Sequence, residues 1–137
     1  MEKFMEQKQN FLEIAQANFQ RWNEALQTKD AKQVAEMYTA DNLFLPTMSP
    51  DFKRGTTGAE EYFTHFLEKN PVGKITEDGV ISVSPDAYLH TGMYDFEIDN
   101  KETGGRQIAK ARFSYLWQKD EKGNWKIAHH HSSVLPA

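Results

Sequence analysis

The chain has 137 residues, 16 basic against 20 acidic side chains, a net charge of -4 and no cysteine. That length suits one domain with one core, and the basic residues form no stripe of the kind a phosphate-backbone binder needs, which argues against nucleic acid. Disulfides, thiolate chemistry and cysteine zinc sites are excluded, and no run approaches the roughly 20 apolar residues of a membrane span. The opening MEKFMEQKQN has acidic residues and lacks the apolar stretch of a secretory signal. The expectation is a cytoplasmic single domain over 1–137, with a flexible or frayed start at 1–9.

From Asn10 to Gln27 the pattern is that of an amphipathic helix, with Phe11, Ile14, Ala15, Phe19, Trp22 and Leu26 recurring at spacings of three and four. Asp30 is placed to cap a second helix, Ala31 to Tyr38. Asp41 and Asn42 read as a turn, and Leu43 to Leu45 as a short strand stopped by Pro46. A loop rich in Pro, Ser, Thr and Gly runs from Pro46 to Gly58 and carries the basic pair Lys53 and Arg54. A third helix follows, Ala59 to Glu68, with Tyr62, Phe63, Phe66 and Leu67 as its apolar set.

Beyond Gly73 the period changes from 3.6 to 2. Strands are predicted over Ile75–Ser84 and Ala87–Ile98, and then as a hairpin from Ile108 to Pro136 that turns at Asp120–Asn124. Three helices, one short strand and four longer strands make an α+β architecture in which helices pack on one curved sheet. Such a sheet can enclose a cone-shaped cavity, a common place for ligands. There is no Gly-rich phosphate loop, GxSxG elbow or HExxH motif.

The last strand ends in three consecutive histidines and two serines. Strict alternation puts Trp125, Ile127, His129, His131 and Ser133 on one face, with Lys126, Ala128, His130 and Ser132 on the other. Trp125 and Ile127 are bulky, so the expectation is that His129 and His131 face the cavity and His130 faces away. Two imidazoles about 7 Å apart can converge on a ligand, a metal or a shared proton, and histidine titrates near neutrality. A metal would need a third ligand, which no sequence-local carboxylate supplies; Asp95 or His90 on a neighbouring strand are the alternatives. No metal and no cofactor are expected. On the preceding strand Ala111, Phe113, Tyr115 and Trp117 share a face, and Tyr115 can present its hydroxyl to the cavity. Arg112, on the opposite face, needs a carboxylate, a dimer contact or an anion. Tyr94 and Trp22 are candidate aromatic walls. Asp41 and His65 are weaker candidates, since a turn and a packed helix account for them.

Trp22 to Leu26, then TKDAKQVAEMYTADNLFLPTMS, YFTHFLEKNPVGKI, GMYDFEI, ARFSYLW and WKIAHHHSSVLP together resemble the bacterial relatives of the calcium/calmodulin-dependent kinase II association domain, within the NTF2-like, SnoaL-like superfamily. The resemblance covers nearly the whole chain. It implies an NTF2-like cone, a curved mixed or antiparallel sheet wrapped around three N-terminal helices, paired into dimers through the sheet. The kinase domain is a non-catalytic oligomerisation module with a deep polar pocket. Its Trp…His-x-His-x-Ser ending falls on Trp125, His129, His131 and Ser133, and one of its pocket arginines falls on Tyr115. Isomerases and dehydratases of the superfamily use an Asp after the second helix or a His–Asp pair, a region that Asp41 matches loosely.

Three functions follow as expectations. The first is a homodimeric cavity protein, with higher oligomers open to it, that binds a small polar or anionic organic molecule through His129, His131, Ser133, Tyr115, Tyr94 and Trp22, with no nucleic-acid or membrane partner. The second is an isomerase, dehydratase or cyclase in which His129 or His131 moves a proton while Tyr115 and Ser133 orient the substrate. The third is a structural oligomerisation module.

Overall fold

The computed structural model describes residues 2–136, and for residues 2–10 it describes the backbone alone. Helix α1 spans Glu2–Gln27, so it begins earlier than the apolar repeat requires; the mobility expected of residues 1–9 lies outside what is described. The repeat itself is the buried stripe: Phe11, Ala15, Phe19, Trp22 and Leu26 are buried, and Ile14 packs against them. Asp30 caps α2, Ala31–Ala35, its carboxylate accepting the Lys32 amide at 3.0 Å. This helix is shorter than expected, because Tyr38 already opens strand β1, Tyr38–Leu45.

The predicted turn at Asp41–Asn42 is a distortion within β1 instead. The loop that follows holds a short strand, β2, Lys53–Arg54. Helix α3, Gly55–Phe66, then runs into a turn of 3-10 helix, Leu67–Lys69. Its predicted apolar set, Tyr62, Phe63, Phe66 and Leu67, is buried.

Four long strands complete the chain: β3, Val72–Ser84; β4, Ala87–Asp99; β5, Arg106–Lys119; and β6, Trp125–Val134. The β5–β6 turn falls where predicted, with the Asp120 carboxylate accepting the amides of Lys122 and Asn124 at 2.9 Å each. The six strands form one sheet in the order β2-β1-β6-β5-β4-β3, antiparallel except for the parallel pair β1–β6. The helices cover one face of this mixed sheet, and the core lies between them. From β4 and β5 the inward residues are Tyr88, His90, Tyr94, Phe96 and Ile98, and Ala111, Phe113, Tyr115 and Trp117.

Alternation fails in β6. Trp117 pairs with Ile127, but the next residue back on β5, Leu116, pairs with His129. Ala128 is therefore an extra residue, a bulge that shifts the phase of everything after it. Strand β1 is irregular at the same level, stepping from Tyr38 opposite Ile127 to Leu43 opposite His129. The predicted facing is consequently reversed: Ile127, His130 and Ser132 are buried, His131 is exposed, and His129 and Ser133 are partly exposed on the outer face.

Candidate functional site

His130 sits at the centre of the cone, 2% exposed. Its ring stacks on Tyr115 at 4.0 Å and on Phe44 at 4.9 Å, and meets Trp22 edge-on at 5.8 Å. Nδ1 lies 2.9 Å from the Tyr38 hydroxyl and Nε2 lies 3.2 Å from the Tyr94 hydroxyl. Burial holds its pKa well below the ordinary histidine value, and the neighbouring His129 and His131 push it the same way. The ring is therefore neutral at pH 7.

The tautomer follows from the partners. Tyr94 donates to Ser132 Oγ at 2.5 Å, so its oxygen accepts from Nε2–H. A neutral ring with Nε2 protonated leaves Nδ1 bare, and Tyr38 donates to it. Tyr38 in turn accepts from Trp22 Nε1–H at 3.2 Å, a group that can only donate. Ser132 makes a short hydroxyl contact with Thr47, in which either oxygen can donate. One chain of hydrogen bonds thus runs in one direction from Trp22 through Tyr38, His130 and Tyr94 to Ser132, and the Ser132–Thr47 contact completes it. Burial also pushes the phenols of Tyr38, Tyr94 and Tyr115 upward, so all three stay protonated. The Tyr115 hydroxyl is buried without a hydrogen-bond partner.

Thr47, Tyr94 and His130 face a chamber of about 10 Å3, otherwise walled by Trp22, Phe44, Tyr62, Phe63, Phe66 and Phe96. That is room for about one water molecule. Tyr62 and Phe66 also line an outer cleft of about 350 Å3 between α3 and the loop after β1, which includes Met48, Pro50, Lys53, Glu61, His65 and Lys69. Lys53, one of the basic pair, is engaged, its Nζ lying 2.9 Å from Glu61 and 3.7 Å from Asp51. The Arg54 guanidinium lies over the Phe52 ring at 4.5 Å.

Of the predicted binding residues, Trp22 and Tyr94 line the chamber and Tyr115 backs His130. His129, His131 and Ser133 do not reach it: His129 Nδ1 meets the Leu43 carbonyl at 2.8 Å, and His131 and Ser133 border a cleft of about 630 Å3 on the outer face with Arg112, Ser114 and Thr91. The predicted proton-transfer group His129, His131 and Tyr115 is thus divided between the two faces of the sheet. Asp41 is exposed, and His65 is exposed at the rim of the outer cleft. Sequence reasoning missed His130, Ser132, Thr47 and Tyr38. No local signal marks the bulge at Ala128, and without it alternation misassigns every residue that follows.

One other histidine is buried. His90 Nε2 meets Asp78 Oδ2 at 2.8 Å, while its Nδ1 has no partner. Burial lowers the His90 pKa, and the Asp78 carboxylate partly offsets this. Among the described residues no three metal-ligating side chains converge, so neither His90 nor Asp95 completes a site with the terminal histidines.

The architecture and its enclosed chamber define an α+β cone of the NTF2-like class. The model of the calcium/calmodulin dependent protein kinase II association domain matches residues 8–136, and the chain belongs to that family. A crystal structure from Xanthomonas campestris, assigned to the same association domain, is 35% identical with a TM-score of 0.85, over 90% of this chain and 86% of that one. An NTF2-like superfamily protein from Salmonella enterica serovar Typhimurium is 19% identical with a TM-score of 0.73, over 95% and 92% of the two chains. A Catenulispora acidiphila protein in complex with S-DNPA is 14% identical with a TM-score of 0.73, over 88% and 90%. The latter two establish the fold alone. No curated protein matches. No helix of the described residues is long and apolar enough to cross a membrane.

Proposed function

We propose that this chain binds a small organic molecule inside its cone, with Trp22, Tyr94, Thr47 and His130 at the inner end of the site and the α3 cleft as its mouth. The carrying observation is the six-membered hydrogen-bond chain set in an aromatic core and ending at the chamber. Burying that many polar groups is costly unless all are paired, and a core with only a packing role is more stable when apolar. The Catenulispora protein, which shares the fold, is seen in complex with S-DNPA, in keeping with this reading. Binding is favoured over proton transfer because both His130 nitrogens are already engaged and the nearest groups are phenols, with no carboxylate among them.

Native mass spectrometry of untagged protein, followed by extraction of retained small molecules, tests the reading. Wild type is expected to release a compound that Tyr94→Phe and His130→Phe lose. Recovery of the same compound from all three proteins would refute the assignment to this chamber.

We further propose that two copies pair through the outer face of the sheet. Leu43, His129, Leu116, Leu89 and Ile81 lie side by side across five strands on that face. Ile81, Ile108 and Val134, all on the outer strands or strand ends, are 56%, 62% and 51% exposed. Arg112 forms no ion pair among the described residues and lines the outer cleft together with Glu77 and Asp78. A second copy would cover the apolar row and could offer Arg112 a carboxylate.

A further inference from the structure

We infer that the outer cleft, on the opposite face of the sheet from the chamber, is a second binding site, and that it takes a small zwitterion of the amino-acid class, its carboxylate at Arg112 and its ammonium at Glu77. The cleft holds about 630 Å3, against about 350 Å3 for the α3 cleft. Strand register sets its contents. Glu77 on β3, Met93 on β4, Arg112 on β5 and Ser133 on β6 stand opposite one another in one row. Neighbouring strands lie about 4.8 Å apart, so the Glu77 and Arg112 backbones are separated by roughly 10 Å, with Met93 between them. Neither side chain forms an ion pair among the described residues. His131 borders the same cleft, two residues before Ser133.

The other polar groups nearby are already answered. Thr91 donates to the Phe113 carbonyl at 2.8 Å and lies 3.0 Å from Ser114 Oγ. Asp78 Oδ2 meets His90 Nε2 at 2.8 Å and accepts from Gln16 Nε2 at 3.4 Å. Asp95 stands in register between Lys74 and Lys110, which balance it. What remains is a guanidinium at one end of the cleft, with the Ser133 hydroxyl and the His131 imidazole beside it, and the Glu77 carboxylate at the other. Charge selects the ligand. A simple anion drawn to Arg112 also meets Glu77, and a simple cation drawn to Glu77 also meets Arg112, so each gains one attraction and one repulsion. A molecule carrying both charges gains two attractions. The guanidinium fork matches a carboxylate with two parallel N–H bonds, and Met93 is a pliable floor for a short apolar side chain. The site is independent of the chamber reading. It is also separate from the apolar row proposed for pairing, since Arg112 lies four residues, about 13 Å, along β5 from Leu116.

Three compounds separate the charges: L-leucine; N-acetyl-L-leucine, which keeps only the carboxylate; and L-leucinamide, which keeps only the ammonium. Each is titrated into wild type, Arg112→Gln and Glu77→Gln, with binding read by calorimetry and from the Met93 methyl resonance. Both substituted positions are exposed, so the fold is expected to survive. Leucine is expected to bind wild type at least about tenfold more tightly than either derivative and to shift Met93. Arg112→Gln should lose about tenfold for leucine and bind leucinamide no more weakly, and Glu77→Gln should lose about tenfold for leucine and bind N-acetyl-leucine no more weakly. N-acetyl-leucine binding wild type as tightly as leucine would reduce the cleft to an anion site, and leucinamide doing so would reduce it to a cation site; either result overturns the inference. Heat accompanied by a shift of the Trp22 indole N–H instead of Met93 would place binding in the chamber and overturn the inference while leaving the chamber reading intact. If no compound binds and Arg112→Gln converts a dimer to a monomer in light scattering, a carboxylate of the second copy occupies Arg112 and the ligand site falls. No binding with the oligomer unchanged makes the cleft a solvated surface, with the same consequence.

Discussion

His130 is an ionisable side chain enclosed by aromatic rings, and the stability it contributes depends on pH. In the unfolded chain a histidine titrates near about 6.5; in the folded chain burial holds His130 well below that, and His90 shifts the same way. Below about pH 6.5 the unfolded state takes up protons that the folded state refuses. Stability is therefore full above that pH and falls as the pH drops toward the folded values, by up to about 1.4 kcal/mol per pH unit for each histidine. Urea unfolding of wild type is expected to show this decline between pH 7 and pH 5. His130→Phe removes one histidine's share of the slope. At pH 7.5 the variant should also be less stable by about 1–3 kcal/mol, because Tyr38 loses an acceptor and Tyr94 a donor inside the core. A variant that declines as steeply as wild type would show that His130 is not buried neutral.

At the scale of the element, irregularities position the site more than regular strands do. The bulge at Ala128 turns His130 and Ser132 inward, and an alanine suits a position that must crowd neither face. A second irregularity lies where β3 crosses β4. The register shifts between Ile75 and Glu77, and a Cβ built on Gly92 would stand 2.1 Å from the Glu77 carbonyl oxygen and 2.8 Å from Asp78 Cα. Both obstacles are backbone, so Gly92→Ala must separate the two strands next to Asp78 and His90. A loss at or beyond the upper end of about 1–3 kcal/mol is expected in thermal or chemical unfolding. Gly79→Ala is the matched control, since nothing lies within 4 Å of its Cβ position, and it should stay within about 0.5 kcal/mol of wild type. Equal melting of the two variants would rule out the close backbone approach.

For the whole molecule, the sheet divides two roles between its faces. The inner face carries the hydrogen-bonded chamber; the outer face carries the apolar row from Leu43 to Ile81 and the uncompensated Arg112. If the outer face is where copies meet, Leu43→Asp with Ile81→Asp places two charges in that row and should convert a dimer to a monomer in light scattering, while the compound retained in the chamber is still recovered. Both residues are well exposed in the single chain, 40% and 56%, so folding itself should change little. A dimer that survives the double substitution would place the interface elsewhere.

Much of the fold was legible because burial imposes periodicity. The stripe from Phe11 to Leu26, the apolar face of α3, the inward set Ala111 to Trp117 and the turn at Asp120 all repeat at the period of their element, and all occupy the predicted places. Family resemblance added the cone, and the residues match it over 8–136. Trp22 and Tyr94 line the chamber because large aromatics on buried faces have nowhere else to go. What the sequence by itself could not determine was which of three adjacent histidines faces inward. A strand's side chains alternate, so one extra residue exchanges the faces of all that follow, and whether that residue is accommodated depends on pairing with β5 and β1. The tertiary structure alone decided that His130 is the buried histidine, and so that the site is a neutral hydrogen-bond chain ending at Thr47 rather than a pair of exposed imidazoles.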